Sequence, residues 1–167
     1  MEIPGSTIPG EWLTRATVWL ALSLYTGSEI LLVAEHPHDS RALHTFGCLA
    51  FLAHVACAFA FHHHWSHAAA YADTARQTAQ LTGWNWGGGL YINYLFAAVW
   101  CAESLWSWIS ASGYFHRPRW ITRTVCGFFL FMVFNGAVVF VPGPARWYGL
   151  LLCLLLAFCL GRPARGR

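Results

Sequence analysis

The chain has 167 residues, of which 57% are apolar, 17% are aromatic and only 10% are charged. Soluble domains carry about 25% charged residues, so this composition excludes an ordinary soluble fold and favours lipid hydrocarbon as the solvent for the apolar surface. The net charge is +3, and every basic residue is an arginine. These arginines are scattered and form no basic patch of the kind that nucleic-acid binding requires. We therefore expect an integral membrane protein with the lipid bilayer, and no nucleic acid, as its partner.

Five apolar segments follow one another along the chain and predict membrane-spanning helices at residues 12–34, 42–61, 90–110, 121–141 and 145–161. Polar turns that contain proline follow the first, third and fourth segments, such as EHPHDSR after the first and VPGPARW after the fourth. The last segment is nearly pure leucine but short, because a span needs about 20 residues and at least about 17. We expect one all-α domain over residues 1–167, a polytopic bundle of five transmembrane helices, with four as the alternative.

A polar stretch between the second and third segments predicts a further, short helix. Tyr71, Ala75, Thr78 and Thr82 recur there at near-helical spacing. Nothing in the stretch is apolar enough to span a bilayer, so we expect this helix to lie at the membrane interface.

Arginines and tryptophans predict the orientation of the bundle. If the five segments alternate in direction, the loops after the first, third and fifth hold seven arginines, and the opposite side holds three. The seven are Arg41, Arg117, Arg119, Arg123, Arg162, Arg165 and Arg167, and the three are Arg15, Arg76 and Arg146. Most tryptophans fall at the two predicted interfaces and form aromatic belts. The positive-inside rule then places the amino terminus outside and the carboxyl terminus in the cytoplasm.

Four histidines lie together in the string AFHHHWSHAAAY, directly after the second apolar segment. If that helix continues, His63 and His67 are four residues apart and His64 and His67 are three apart, so that they share one face. Imidazoles in this arrangement bind zinc, copper or iron. The pattern predicts an outer metal site at His63, His64 and His67. The alternative is that these histidines simply end the helix in the headgroup region beside Trp65.

A second histidine group, in the string EHPHDSRALH, lies at the opposite end of the second segment. His36 and His38 flank a proline on a turn, and His44 follows one or two helical turns later. These three histidines predict a weaker, inner metal site, with the same alternative of a purely interfacial role. His44 and His116 are the one histidine pair from different elements near this rim, which is too little to predict haem.

Three ionisable residues fall inside the predicted spans: Glu29, His54 and Glu103. Such groups cost several kcal/mol in lipid unless they are neutralised or paired, and they face the bundle interior. At 1.5 Å rise per residue, Glu29 and Glu103 reach a similar depth on the cytoplasmic side. We predict an intramembrane polar cluster of all three that shares protons or binds a cation. Alternatively, the two glutamates are protonated and hydrogen-bond between helices, with His54 satisfied in the core.

The six cysteines all fall within apolar segments, and none forms a CxxC pair. We interpret them as small apolar residues of the helix interfaces.

No catalytic motif is present: the chain has no GxSxG, HExxH, P-loop or dinucleotide fingerprint. We therefore expect no catalytic residues and a small accessory membrane subunit that holds a metal ion or relays protons within the bilayer. The first alternative is a purely structural assembly subunit that packs against other membrane subunits or against itself. The second is a small proton-coupled transporter.

Overall fold

The computed structural model describes residues 8–162 and is all-helical, with 84% helix and no strand among the described residues. This confirms the predicted all-α class. The elements are α1 (Ile8–Val33), α2 (Pro37–Phe61), α3 (His67–Thr82), α4 (Gly89–Ile109), α5 (Ala111–Phe115), α6 (Arg119–Phe134) with a π-helical turn (Asn135–Val139), and α7 (Ala145–Gly161). Arg165 and Arg167 lie outside the described residues.

The helix boundaries follow from local sequence signals. Helix α2 begins earlier than predicted, at Pro37, because proline is favoured in the first turn, where its missing N–H is not needed. Helix α3 begins where the Ser66 hydroxyl accepts a hydrogen bond from the backbone N–H of Ala69 (3.2 Å). It ends at Gly83, whose φ of 79° suits glycine. The predicted short helix after the second apolar segment is therefore present as α3.

Three helical stretches are long and apolar enough to cross a membrane: Gly10–Val33, Pro37–Phe61 and Arg119–Val139. Helix α4, which carries Asn93 and Glu103, is not among them. Helix α7 is apolar but has only 17 residues. The structure thus supports membrane association through three helices and does not confirm five spans.

The helices run back and forth between two ends of the bundle. At one end, the start of α1 meets the end of α2, since Gly10 packs against the ring of Phe61. We call this the His63 end, because His63 follows Phe61 by two residues. At the other, α2 begins beside the last turns of α4, where Arg41 Nη1 donates to the carbonyl oxygen of Ser107 (3.2 Å). We call this the Arg117 end, because Arg117 lies in the connection that follows the last turn of α4.

An aromatic core joins α1, α2, α4 and α6. Trp100 and Phe129 are fully buried, and their ring centroids are 5.3 Å apart. Tyr25 packs on both, 5.5 Å from Trp100 and 4.6 Å from Phe129. Phe51 stacks on Trp100 at 5.5 Å. These edge and offset contacts are the geometries that aromatic rings prefer, and they fix the helices that carry the polar residues of the Arg117 end.

Candidate functional site

A buried ion pair joins α4 to the loop that leads into α6. Arg117 Nη1 donates to both carboxylate oxygens of Glu103, at 2.6 Å and 2.5 Å. The side chains are only 6% exposed for Arg117 and 8% for Glu103. An ion pair removed from solvent in this way is poorly screened, so the removal of one charge would leave the other buried and unpaired.

Aromatic and hydroxyl groups surround the Arg117 guanidinium. It lies 4.5 Å from the ring centroid of Tyr114 and 5.7 Å from that of Trp106, within cation–π range. Its Nε donates to the Thr122 hydroxyl at 3.0 Å. Helix α5 makes this arrangement possible. Ser110 caps its start by accepting a hydrogen bond from the Gly113 N–H, and the chain then folds back towards α4.

The electrostatics of the loop follow from this burial. Burial raises the pKa of the Tyr114 phenol, and the nearby Glu103 carboxylate raises that pKa further. For Arg117, burial is the largest influence and acts to lower the pKa, but the hydrogen bonds to Glu103 and the charge interactions with Tyr114 and Glu103 together outweigh it, and the net direction is upward. At physiological pH Arg117 therefore carries its positive charge, and the Tyr114 phenol keeps its proton.

A small cavity brings Glu29 to the same group of residues. The cavity has a volume of about 10 Å³, close to the least that one water molecule occupies. It is lined by Glu29, Leu32, Tyr114, Phe115, Arg117, Thr122 and Cys126. Two of the three residues of the predicted intramembrane cluster, Glu29 and Glu103, thus border Arg117 at one end of the bundle.

The third predicted member, His54, lies elsewhere. Its Nδ1 is 2.9 Å from the carbonyl oxygen of Thr14, near the start of α1, and its ring packs beside Phe51 at 5.9 Å. His54 follows His44 by ten residues, about 15 Å along α2, on the way to the His63 end. The structure therefore divides the predicted cluster and places a different histidine, His44, towards the Arg117 end.

His44 is buried among the aromatic rings of the core. Its ring centroid is 5.8 Å from that of Tyr25 and 6.0 Å from that of Trp100, and the indole N–H of Trp100 donates to its backbone carbonyl (3.2 Å). Its Nε2 has no hydrogen-bond partner among the described residues. The other two members of the predicted inner metal site, His36 and His38, are exposed at the start of α2, so the three do not converge.

The outer histidines lie in a turn, not on a continuous helix. Helix α2 ends at Phe61 and α3 begins at His67, and His64 and Trp65 between them have left-handed backbones with φ of 48° and 59°. The expected helical stacking of His63 on His67 is therefore wrong. Non-glycine residues adopt this conformation only where the surrounding structure holds them in it.

Aromatic neighbours occupy the faces of two of these imidazoles. The ring centroid of His63 is 5.7 Å from that of Phe59, and His67 lies 5.8 Å from Tyr91 and 5.9 Å from Tyr94. Burial lowers the pKa of His63. Across residues 8–162, no group of three or more histidine, cysteine, aspartate or glutamate side chains is arranged to hold a metal ion. Metal binding at either histidine group stays a prediction.

Arg117 and Tyr114 are the site residues that the sequence reasoning missed. A signal for Arg117 existed, because Glu103 needs a partner and the short loop after its helix carries arginines. The sequence did not distinguish Arg117 from Arg119, which is exposed. No protein-family model, curated protein or solved structure matches this chain.

Proposed function

We propose that this protein is a non-catalytic membrane subunit that takes up and releases a proton at the Arg117 end of its bundle. The proton would reside on Glu29 or Glu103, with Arg117 and Tyr114 as the neighbouring groups that do not titrate. The observation that carries the proposal is the buried Glu103–Arg117 pair beside a water-sized cavity that Glu29 also lines. Ionisable groups inside membrane helices are costly, and where they occur they commonly mark ion or proton pathways.

The chemistry of the four groups supports a proton as the occupant. A metal cation would be repelled by the Arg117 guanidinium, which is a donor and never a ligand. A proton needs only a carboxylate and a hydrogen-bonded neighbour. The cavity has room for about one water, which would connect Glu29 to Arg117 and so to Glu103.

We also propose that α4 and α7 cross the bilayer with the three longer apolar stretches. Leu95 and Leu105 on α4 are 55% and 61% exposed, and Phe158 on α7 is 57% exposed, as expected of side chains that face lipid. The pairing of Glu103 with Arg117 removes much of the cost that this carboxylate adds to α4. Helix α7 has the minimum length of about 17 residues for a span.

The arginine distribution supports an orientation with the Arg117 end in the cytoplasm. Fusions of a periplasm-active phosphatase and of green fluorescent protein after residues 66 and 113 test this proposal. We expect phosphatase activity from the first position and fluorescence from the second. The reverse pattern would contradict the orientation.

Infrared spectroscopy of the full chain in lipid nanodiscs tests the proton site. We expect the C=O stretching band of a protonated carboxylic acid to appear and disappear as the pH is changed. Either Glu29→Gln or Glu103→Gln should remove or shift that band. Glu35→Gln is the matched control, because Glu35 is exposed in the loop after α1.

The outcomes separate the proposal from its alternatives. A titrating band that is identical in all three variants would contradict the proton site. Variants that leave every band unchanged but release the protein from a larger membrane complex would favour a structural assembly subunit. Proton flux across liposomes that contain only this protein, lost in Glu103→Gln, would favour a transporter.

A further inference from the structure

Two free thiols from different helices meet within the bundle. Cys48 on α2 and Cys101 on α4 have their Sγ atoms 3.7 Å apart, and both are free cysteines. At this distance the two sulfur atoms are in van der Waals contact, and a disulfide requires them to approach to about 2.05 Å. We propose that Cys48 and Cys101 form a reversible dithiol–disulfide site that responds to lipid-soluble hydroperoxides.

The two thiols differ in burial in a way that assigns their roles. Cys48 is buried, and Cys101 is half-buried. Cys101 is close to the apolar outer surface, because Leu105, one helical turn further along α4, is 61% exposed. A hydroperoxide dissolved among acyl chains therefore reaches Cys101 first, and Cys48 lies behind it as the resolving thiol. Oxidisable cysteines beside a resolving cysteine are the usual arrangement of reversible redox sites.

The reaction balances in two steps. In the first, the Cys101 sulfur attacks the terminal peroxide oxygen and the O–O bond breaks, so that the hydroxyl group stays on sulfur as a sulfenic acid. The thiol proton passes to the departing alkoxide, which leaves as an alcohol. In the second, the Cys48 sulfur attacks the Cys101 sulfur and the S–O bond breaks as the disulfide forms; the Cys48 thiol proton joins the departing hydroxide, which leaves as water. The two thiols lose two electrons in total, and the hydroperoxide is reduced by two electrons. A small dithiol reverses the change by thiol–disulfide exchange.

The disulfide would join α2 to α4 beside the aromatic core. Cys101 follows the fully buried Trp100 and precedes Glu103 by two residues. Cys48 lies one helical turn after His44. Oxidation would therefore restrain the helix that carries Glu103. It would consume none of the polar groups at the Arg117 end.

Thiol counting on the full chain in nanodiscs tests the proposal. After cumene hydroperoxide, denaturation and alkylation with a maleimide polymer, we expect four of the six cysteines to label instead of all six. Peptide mapping should find the Cys48–Cys101 linkage within one chain, and dithiothreitol should restore six labels. The Cys57→Ser variant is the control and should lose two labels in the same way.

Variants separate the two steps. In Cys48→Ser, dimedone should trap a sulfenic acid at Cys101, with no disulfide. In Cys101→Ser, Cys48 should keep its thiol. Six labels after oxidation, losses at other cysteines, or a linkage only between two chains would overturn the proposal. If hydrogen peroxide oxidised the two cysteines as fast as cumene hydroperoxide at equal concentration, the proposed access of the oxidant through lipid would be overturned. The thiol count and the peptide map of the wild-type protein test the disulfide by themselves, so the test does not depend on the folding of either variant.

Discussion

The Arg117→Gln variant removes one partner of the buried ion pair and leaves the other on α4. Glu103 has little access to bulk solvent, since its side chain is only 8% exposed. We expect it to take up a proton. A glutamate in water titrates near pH 4.3, so holding the proton at pH 7 costs about 3.7 kcal/mol at 1.36 kcal/mol per pH unit. This value agrees with the roughly 3–5 kcal/mol that removal of one partner of a buried pair costs.

The destabilisation of Arg117→Gln should depend on pH, because it is set by the protonation of Glu103. The cost of protonation falls as the pH approaches 4.3, so the destabilisation of Arg117→Gln should shrink to about 1 kcal/mol at pH 5. The double variant Glu103→Gln/Arg117→Gln holds no unpaired charge. It should therefore be more stable at pH 7 than Arg117→Gln alone.

Denaturation of the protein in lipid–detergent bicelles, followed by tryptophan fluorescence at pH 7 and pH 5, measures these free energies of unfolding. Arg119→Gln is the matched control, because Arg119 is exposed two residues away, and it should change stability by less than about 0.5 kcal/mol. An Arg117→Gln variant that equals this control, or that is equally destabilised at both pH values, would refute the reasoning.

Three further predictions follow from the packing and the histidine turn. A Cβ at Gly149 would overlap the carbonyl group of Ala137 in the π-helical turn, whereas one at Gly127 meets open space. Gly149→Ala should therefore destabilise by about 1–3 kcal/mol and Gly127→Ala should not, as measured by thermal unfolding. Because burial lowers the pKa of His63, the turn is most stable while that ring is neutral. Hydrogen-exchange protection of residues 62–66 should be highest above the usual histidine pKa of about 6.5 and should fall as the pH drops below it. If the His63→Gln variant showed the same dependence of protection on pH, this prediction would be contradicted. The predicted outer metal site requires one zinc, copper or iron ion per purified chain, lost in His63→Ala and His67→Ala, and metal-free wild-type protein would count against it.

The helices were largely predictable from the sequence because lipid-facing helices are nearly continuous apolar runs interrupted by proline and glycine. The turn after α2 was not, since no local pattern indicates left-handed backbones at His64 and Trp65. Ser66 was a usable signal, because a serine before a run of alanines favours the start of a new helix over the continuation of the old one.

The candidate site was only partly predictable. Counting residues along each span predicted that Glu29 and Glu103 lie towards the same end of the bundle, and the structure brings both beside Arg117. His54 was expected in the same cluster, but it lies further along α2, towards the His63 end, where its Nδ1 is 2.9 Å from the carbonyl oxygen of Thr14 on α1. The partner of Glu103 comes from a loop, whose path depends on the cap of α5 and on the room beside Tyr114 and Trp106.

The pairing of Glu103 with Arg117 within a bilayer is the central claim, and solid-state NMR tests it most directly. Full-length protein in lipid bilayers, with ¹³C-labelled glutamate and ¹⁵N-labelled arginine, reports dipolar couplings between side-chain carboxyl carbons and guanidinium nitrogens. We predict a strong coupling that disappears in Arg117→Gln and persists in Arg119→Gln. A spectrum without that coupling, or one in which Arg117→Gln leaves it intact, would contradict the account.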